Sequence, residues 1–128
     1  MKIVIDAMGS DNAPRVEVEG AIQAAEEFGH ELLLVGDETR IKQEFDKYGG
    51  KPDKINIVNA TEVIEMHEPA ALSVRRKRKS SIVMGLDLLK HNEADAFVSA
   101  GNTGAVVCAA ALSLRLLPGV ERDRKSVV

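Results

Sequence analysis

The segment 94–105 reads Ala-Asp-Ala-Phe-Val-Ser-Ala-Gly-Asn-Thr-Gly-Ala, and its residue types suit the holding of a small anion. A short apolar run enters it and an apolar helical stretch leaves it. Gly101 and Gly104 allow a tight turn and a close backbone approach to a ligand. The helix that follows would present unpaired N–H groups and the positive end of its dipole. Ser99, Asn102 and Thr103 add short hydrogen-bonding side chains at phosphate scale. The same pattern also suits a plain strand-to-helix turn capped by Asn102 or Thr103, and both readings stay open. The dinucleotide fingerprint Gly-x-Gly-x-x-Gly and the Gly-Lys-Ser/Thr of a P-loop are both absent.

A second polar loop, Asp6-Ala7-Met8-Gly9-Ser10-Asp11-Asn12-Ala13-Pro14, places two carboxylates at a strand end. They could orient a substrate, hold a divalent ion or cap a helix. Asp11 and Asn12 just ahead of Pro14 favour capping, while Asp6 at the strand terminus suggests chemistry. Arg75-Arg76-Lys77-Arg78-Lys79 is a run of five cations in an acidic chain. Such a run is a solvated face, or an electrostatic guide for an acidic partner or a phosphate-bearing ligand. His67 lies in an irregular stretch where no partner can be read for a general base. His30 and His91 fall at helix ends, facing solvent or complementing a dipole. Cys108 reads as a small core residue. No His/Cys/Asp cluster has metal-ligand spacing, so neither metal nor cofactor is expected.

The elements that must position these residues alternate between strand and helix. Lys2–Ala7 is a predicted strand, and Val18, Ala21, Ile22, Ala25 and Phe28 form one helical face that Gly29 terminates. Leu32–Val35 is a second strand. Ile41, Phe45 and Tyr48 share a face of a short helix closed by Gly49-Gly50, and Ile55–Val58 is a third strand. Ser80 or Ser81 caps a helix with Ile82, Gly85, Leu86 and Leu89 on one face. Phe97–Ser99 is the fourth strand, and a helix follows over Thr103–Leu117. Strands that are apolar throughout and separated by helices predict a parallel α/β sheet covered on both faces. Ligands of such sheets bind beyond the carboxyl ends of the strands, which places both polar loops on one rim.

The 128 residues bound one modest domain or a piece of a larger protein. Hydrophobic residues make up 45% and charged residues 29%, the balance of a globular chain. With aromatics at 3% and no Trp, the core must be aliphatic and no base-stacking platform is available. A net charge of −3 argues against nucleic acid as a partner. One cysteine rules out an internal disulfide and suits a reducing cytoplasm. Neither a signal peptide nor a membrane span is legible, so a cytoplasmic location is expected.

Three segments together carry a family resemblance. The Asp6–Pro14 loop resembles the N-terminal signature of the bacterial phosphate acyltransferases of phospholipid synthesis. Val63-Ile64-Glu65-Met66-His67-Glu68-Pro69, followed by the basic run and Ser80-Ser81, is similar to their second signature, and 94–105 to their third. The resemblance implies a parallel three-layer α/β fold of the isocitrate/isopropylmalate dehydrogenase and phosphotransacetylase group. It also implies transfer of a fatty acyl group from acyl carrier protein to inorganic phosphate, giving acyl phosphate; a non-catalytic phosphate- or nucleotide-binding module and a phosphotransacetylase-like enzyme using coenzyme A thioesters are the alternatives. Family members are expected to be homodimers, peripheral to the membrane, that feed a glycerol-3-phosphate acyltransferase.

On this chain the resemblance makes Asp6 and Asn102 candidate catalytic residues. It makes Gly9, Asp11, Ser99, Gly101, Asn102, Thr103 and Gly104 candidate phosphate ligands. Arg75, Arg76, Lys77, Arg78 and Lys79 are then candidates for docking the carrier protein. Ser10 replaces the usual Gly and Asn12 the usual His, so an imidazole role at that loop is not carried over. The resemblance covers 1–122, the first third or so of a family member. Residues 123–128, Asp-Arg-Lys-Ser-Val-Val, depart from it and match translated sequencing-adapter read-through, so a non-native tail is expected there.

Overall fold

A computed structural model describes residues 1–115. Its elements are β1 (Lys2–Asp6), α1 (Arg15–Phe28), β2 (Glu31–Gly36), α2 (Glu38–Asp46), β3 (Ile55–Asn59), α3 (Ala70–Arg76), α4 (Ser81–Lys90), β4 (Ala96–Val98) and α5 (Thr103–Ser113). The strands form one sheet in the order β3-β2-β1-β4. All three pairings are parallel, with Ile5 opposite Leu34 on one side and Val98 on the other. The α/β architecture expected from the apolar strand runs is therefore present.

Why these runs are strands follows from what each face touches. Ile3 and Ile5 point to a core shared with Leu32, Leu34, Ile55, and Val18 and Ala21 of α1 and Ile41 and Phe45 of α2. Val4 points the opposite way, into a cluster with Val35, Ala60 and Ala94. Met84, Leu88 and Leu89 of α4 cover that cluster. A strand covered on both faces has no polar alternation to show. Behind α4, a further apolar cluster joins Val74 of α3 to Ile82, Val83 and Leu86 of α4 and Ala105 and Ala109 of α5.

Helix α4 reaches β4 and β1 through Gly85, where a Cβ would overlap the Phe97 ring and lie 3.3 Å from Val4 Cγ1. Gly29 ends α1 in the left-handed conformation, as its place in the sequence suggested. Several boundaries differ from expectation. Phe28 does not complete the buried face of α1: it is 64% exposed, and its ring stacks on His30. Tyr48 lies beyond the end of α2 and is exposed, its hydroxyl donating to Glu19. Helix α3 falls on a stretch that carried no helical reading, because seven residues give too few turns for a periodic signal. Helix α5 closes at Ser113 with Leu114 as its cap, short of the expected Leu117. The 122 boundary and the 123–128 tail lie outside the described residues.

Candidate functional site at the sheet rim

The chain builds β1, β2 and β3 outward in one direction, then returns to lay β4 on the other side of β1. Strand order therefore reverses between β1 and β4, and the carboxyl ends at such a reversal are where open α/β sheets bind ligands. Both polar loops start there. Asp6, the last residue of β1, is 1% exposed. Its Oδ1 accepts from the Met8 N–H at 3.0 Å and its Oδ2 accepts from the Ser99 hydroxyl at 2.7 Å. Ser99 Oγ in turn accepts from the Gly101 N–H at 3.0 Å. One buried carboxylate thus ties the loops together across 93 residues of sequence.

Close approach of the two backbones accounts for the glycines. A Cβ on Gly9 would lie 2.6 Å from the Gly101 nitrogen and 3.0 Å from Asp6 Oδ2. The nitrogen is backbone and the carboxylate oxygen is held by the Ser99 hydroxyl, so the position requires glycine.

Asn102 is the N-cap of α5, its Oδ1 accepting from the Ala105 N–H at 3.1 Å. Its Nδ2 donates to the carbonyls of Glu65 at 3.0 Å and Glu68 at 3.1 Å. The amide is therefore engaged at both ends, as a cap and as a clamp on the loop after β3. Thr103 and Gly104 supply the first two N–H groups of α5, ahead of any intrahelical acceptor. These amides are the positive end of the helix dipole, and the Thr103 side chain beside them is exposed.

The clamped loop is braced from its other side. Lys77 Nζ donates to the Val63 carbonyl at 2.8 Å and to Glu68 Oε2 at 2.9 Å. The Glu65 N–H donating to Glu68, with Lys77 beside it, holds the Glu68 carboxyl below the usual carboxylate range. The five-cation run thus divides. Lys77 is a half-buried structural cation, whereas Arg75, Arg76, Arg78 and Lys79 are exposed. Arg75 and Arg76 occupy the last turn of α3, where cations complement the dipole.

Asp11 and Asn12 are exposed, and α1 has no side-chain cap, so the capping expected of them is not made. Ser10 secures the loop instead. Its N–H and hydroxyl both donate to Glu17, at 3.0 and 2.9 Å, in the first turn of α1. His67 is exposed between the two carbonyls that Asn102 grips.

The structure therefore brings Asp6, Gly9, Ser99, Gly101, Asn102, Thr103 and Gly104 to one rim and leaves Asp11 exposed, outside the hydrogen bonds that join the two loops. Residue reading missed the carbonyls of Glu65 and Glu68 and the brace from Glu68 to Lys77. Backbone carbonyls leave no trace in residue type, and the clamp spans 34 residues or more. Among the described residues, no group of three or more His, Cys, Asp or Glu could hold a metal ion. Among them, too, no helix is long and apolar enough to cross a membrane.

Fold and site together define a parallel α/β protein whose two glycine-bearing loops meet at a switch point of its sheet. The chain belongs to the fatty acid synthesis protein family, whose family model matches residues 1–128. It is 50% identical over 122 residues to a phosphate acyltransferase of Geotalea uraniireducens, covering 95% of this chain and 35% of that protein. A phosphate acyltransferase of Akkermansia muciniphila is 48% identical over 124 residues, with 95% of this chain and 36% of that protein covered. One from Herpetosiphon aurantiacus is 48% identical over 122 residues, with 95% and 33% covered. The chain thus spans about a third of the length of these relatives.

Proposed function

We propose that this chain forms the phosphate-holding part of an acyltransferase that moves a fatty acyl group from acyl carrier protein to inorganic phosphate. The observation that carries this reading is the joining of the β1 and β4 loops by Asp6 and Ser99, just ahead of the start of α5 at Thr103. Phosphate oxygens accept from the N–H groups of Thr103 and Gly104 and from the Thr103 hydroxyl. Asp6 and Ser99 hold the Gly101 backbone in place, and Asn102 fixes the helix start against the loop after β3. Holding the phosphate in one orientation converts an encounter in solution into a near-unimolecular attack.

A phosphate oxygen then attacks the thioester carbonyl, the carbon–sulfur bond breaks, and the carrier leaves as its thiolate. The products are acyl phosphate and the free carrier thiol. A thiolate is a good leaving group, so the step requires no covalent acyl-enzyme. Exposed Arg75, Arg76, Arg78 and Lys79 guide the acidic carrier toward the rim. In the cell, the acyl phosphate would pass to a glycerol-3-phosphate acyltransferase at the membrane.

The test joins residues 1–122 to the remaining sequence of the Geotalea uraniireducens relative and follows consumption of acyl carrier thioester. Phosphate-dependent consumption that Gly101→Ala lowers at least about tenfold, or 1.4 kcal/mol in the barrier, supports the reading. Consumption that is independent of phosphate, or equal in the variant, contradicts it.

A further inference from the structure

The carboxyl ends of β2 and β3 hold a second hollow, one strand along the rim from the loops that Asp6 joins. Its volume is about 380 Å³, within the range of about 300–1,000 Å³ typical of small-molecule sites. The floor is apolar, made by Met8, Ala60 and Val63. Met8 lies across the end of β2, where a Cβ on Gly36 would come within 2.7 Å of its Cγ. The Ala60 N–H donates to the Gly36 carbonyl at 2.8 Å, which carries the β2–β3 pairing one residue further and fixes that wall.

Around this floor the groups are polar, and each is anchored by one of its atoms while another stays open. Asp37 caps α2, its Oδ1 accepting from the Arg40 N–H at 3.2 Å. Asn59 Oδ1 accepts from the Glu38 N–H at 3.1 Å. Arg40 Nη2 donates to the Ala13 carbonyl at 3.0 Å, tethering the guanidinium to the β1 loop. Among the described residues, nothing bonds Asp37 Oδ2, Asn59 Nδ2 or the Thr61 hydroxyl. The hollow therefore offers one anionic acceptor, one cation and two neutral hydrogen-bonding groups above an apolar surface.

Strand order β3-β2-β1-β4 is also that of the corresponding strands in a doubly wound nucleotide-binding sheet, where an acidic residue takes the ribose hydroxyls. Asp37, directly after β2, stands where that residue is needed. We infer that this hollow binds a ribonucleoside monophosphate whose ribose diol is free. The ribose hydroxyls donate to Asp37 Oδ2, and the phosphate accepts from the tethered Arg40 guanidinium. The base lies over Met8, Ala60 and Val63, where a thioether suits an aromatic face. Asn59 Nδ2 and the Thr61 hydroxyl meet its edge. A dinucleotide does not fit, because its pyrophosphate needs the N-terminus of α1. There the Glu17 carboxylate already takes the Ser10 N–H and hydroxyl. A phosphate on the ribose diol is rejected as well, since it would face the Asp37 carboxylate. This inference does not rest on the acyl-transfer reading.

The experiment follows amide shifts of the 128-residue chain during titration with adenosine monophosphate at fixed ionic strength. The expected result is saturable shifts at Met8, 37–40 and 59–63. Asp37→Asn keeps a good helix cap and removes the charge, and it should weaken binding about fivefold or more. Arg40→Gln should weaken it by a similar factor. Adenosine bisphosphate, with its second phosphate on the ribose diol, should bind the unaltered chain about tenfold more weakly than the monophosphate. Asp37→Asn should remove that preference, a change that loss of structure would not produce. Circular dichroism checks that each variant still folds. Shifts confined to 99–104 would overturn the inference and leave the acyl-transfer reading standing. A flat response at 37–40 and 59–63, equal binding of the two nucleotides by the unaltered chain, or undiminished binding by Asp37→Asn would also overturn it.

Discussion

Asp6 concentrates the energetics of the site in one side chain. It is buried, and both carboxylate oxygens are used, one within its own loop and one across to Ser99. Asp6→Ala leaves the Met8 N–H and the Ser99 hydroxyl without their acceptor, at a cost of about 2–4 kcal/mol for bonds to a charged group. Urea unfolding should show that loss, and a Ser99→Ala background should reduce it, because the two side chains share one bond. Asn102→Ala removes a helix cap worth about 1 kcal/mol and also the clamp on Glu65 and Glu68. Stability and any turnover should therefore fall together. At Glu68 the pH dependence has a definite sign. A carboxyl held below its usual range stabilises the fold above about pH 4.3 and loses that contribution as pH falls through its lowered value. Glu68→Gln should accordingly flatten the acid limb of a melting-temperature profile while leaving its shape near pH 9 unaltered.

At the scale of elements, glycines record which pieces must touch. Gly9→Ala places a methyl group against the Gly101 backbone, and Gly85→Ala places one against the Phe97 ring. Overpacking of this kind costs about 1–3 kcal/mol. Both variants should lower the urea midpoint, but only Gly9→Ala should alter amide shifts at Gly101. The strands and the four longer helices were legible because the chemistry of burial is written locally. Ile3-Val4-Ile5 and Leu32–Val35 are apolar on both faces, and Val18 and Ala21 recur at helical spacing. Helix α3 was not legible, since seven residues cannot establish a period. Phe28 and Tyr48 fit helical spacing but lie at or past a helix end, where the core has already curved away. Asp11 matched a cap by type, yet the Ser10–Glu17 bonds settle that loop. The rim location of both polar loops was readable from strand polarity alone. Their direct contact was not, because it requires β4 to return beside β1 rather than continue past β3.

For the whole molecule, the central feature is the reversal of strand order between β1 and β4. That reversal makes neighbours of two loops far apart in sequence, and α5 opens directly after the second of them. Net charge is −3, while Arg75, Arg76, Arg78 and Lys79 stay exposed near the same end of α3. An acidic partner would meet its only dense cationic run there among the described residues. The most direct test of the account is an amide-shift titration of the 128-residue chain with inorganic phosphate at fixed ionic strength. The account predicts saturable shifts at Gly101, Thr103 and Gly104, lost in Gly101→Ala. Shifts confined to residues 75–79, or a flat response across 99–104 up to saturating phosphate, would contradict it.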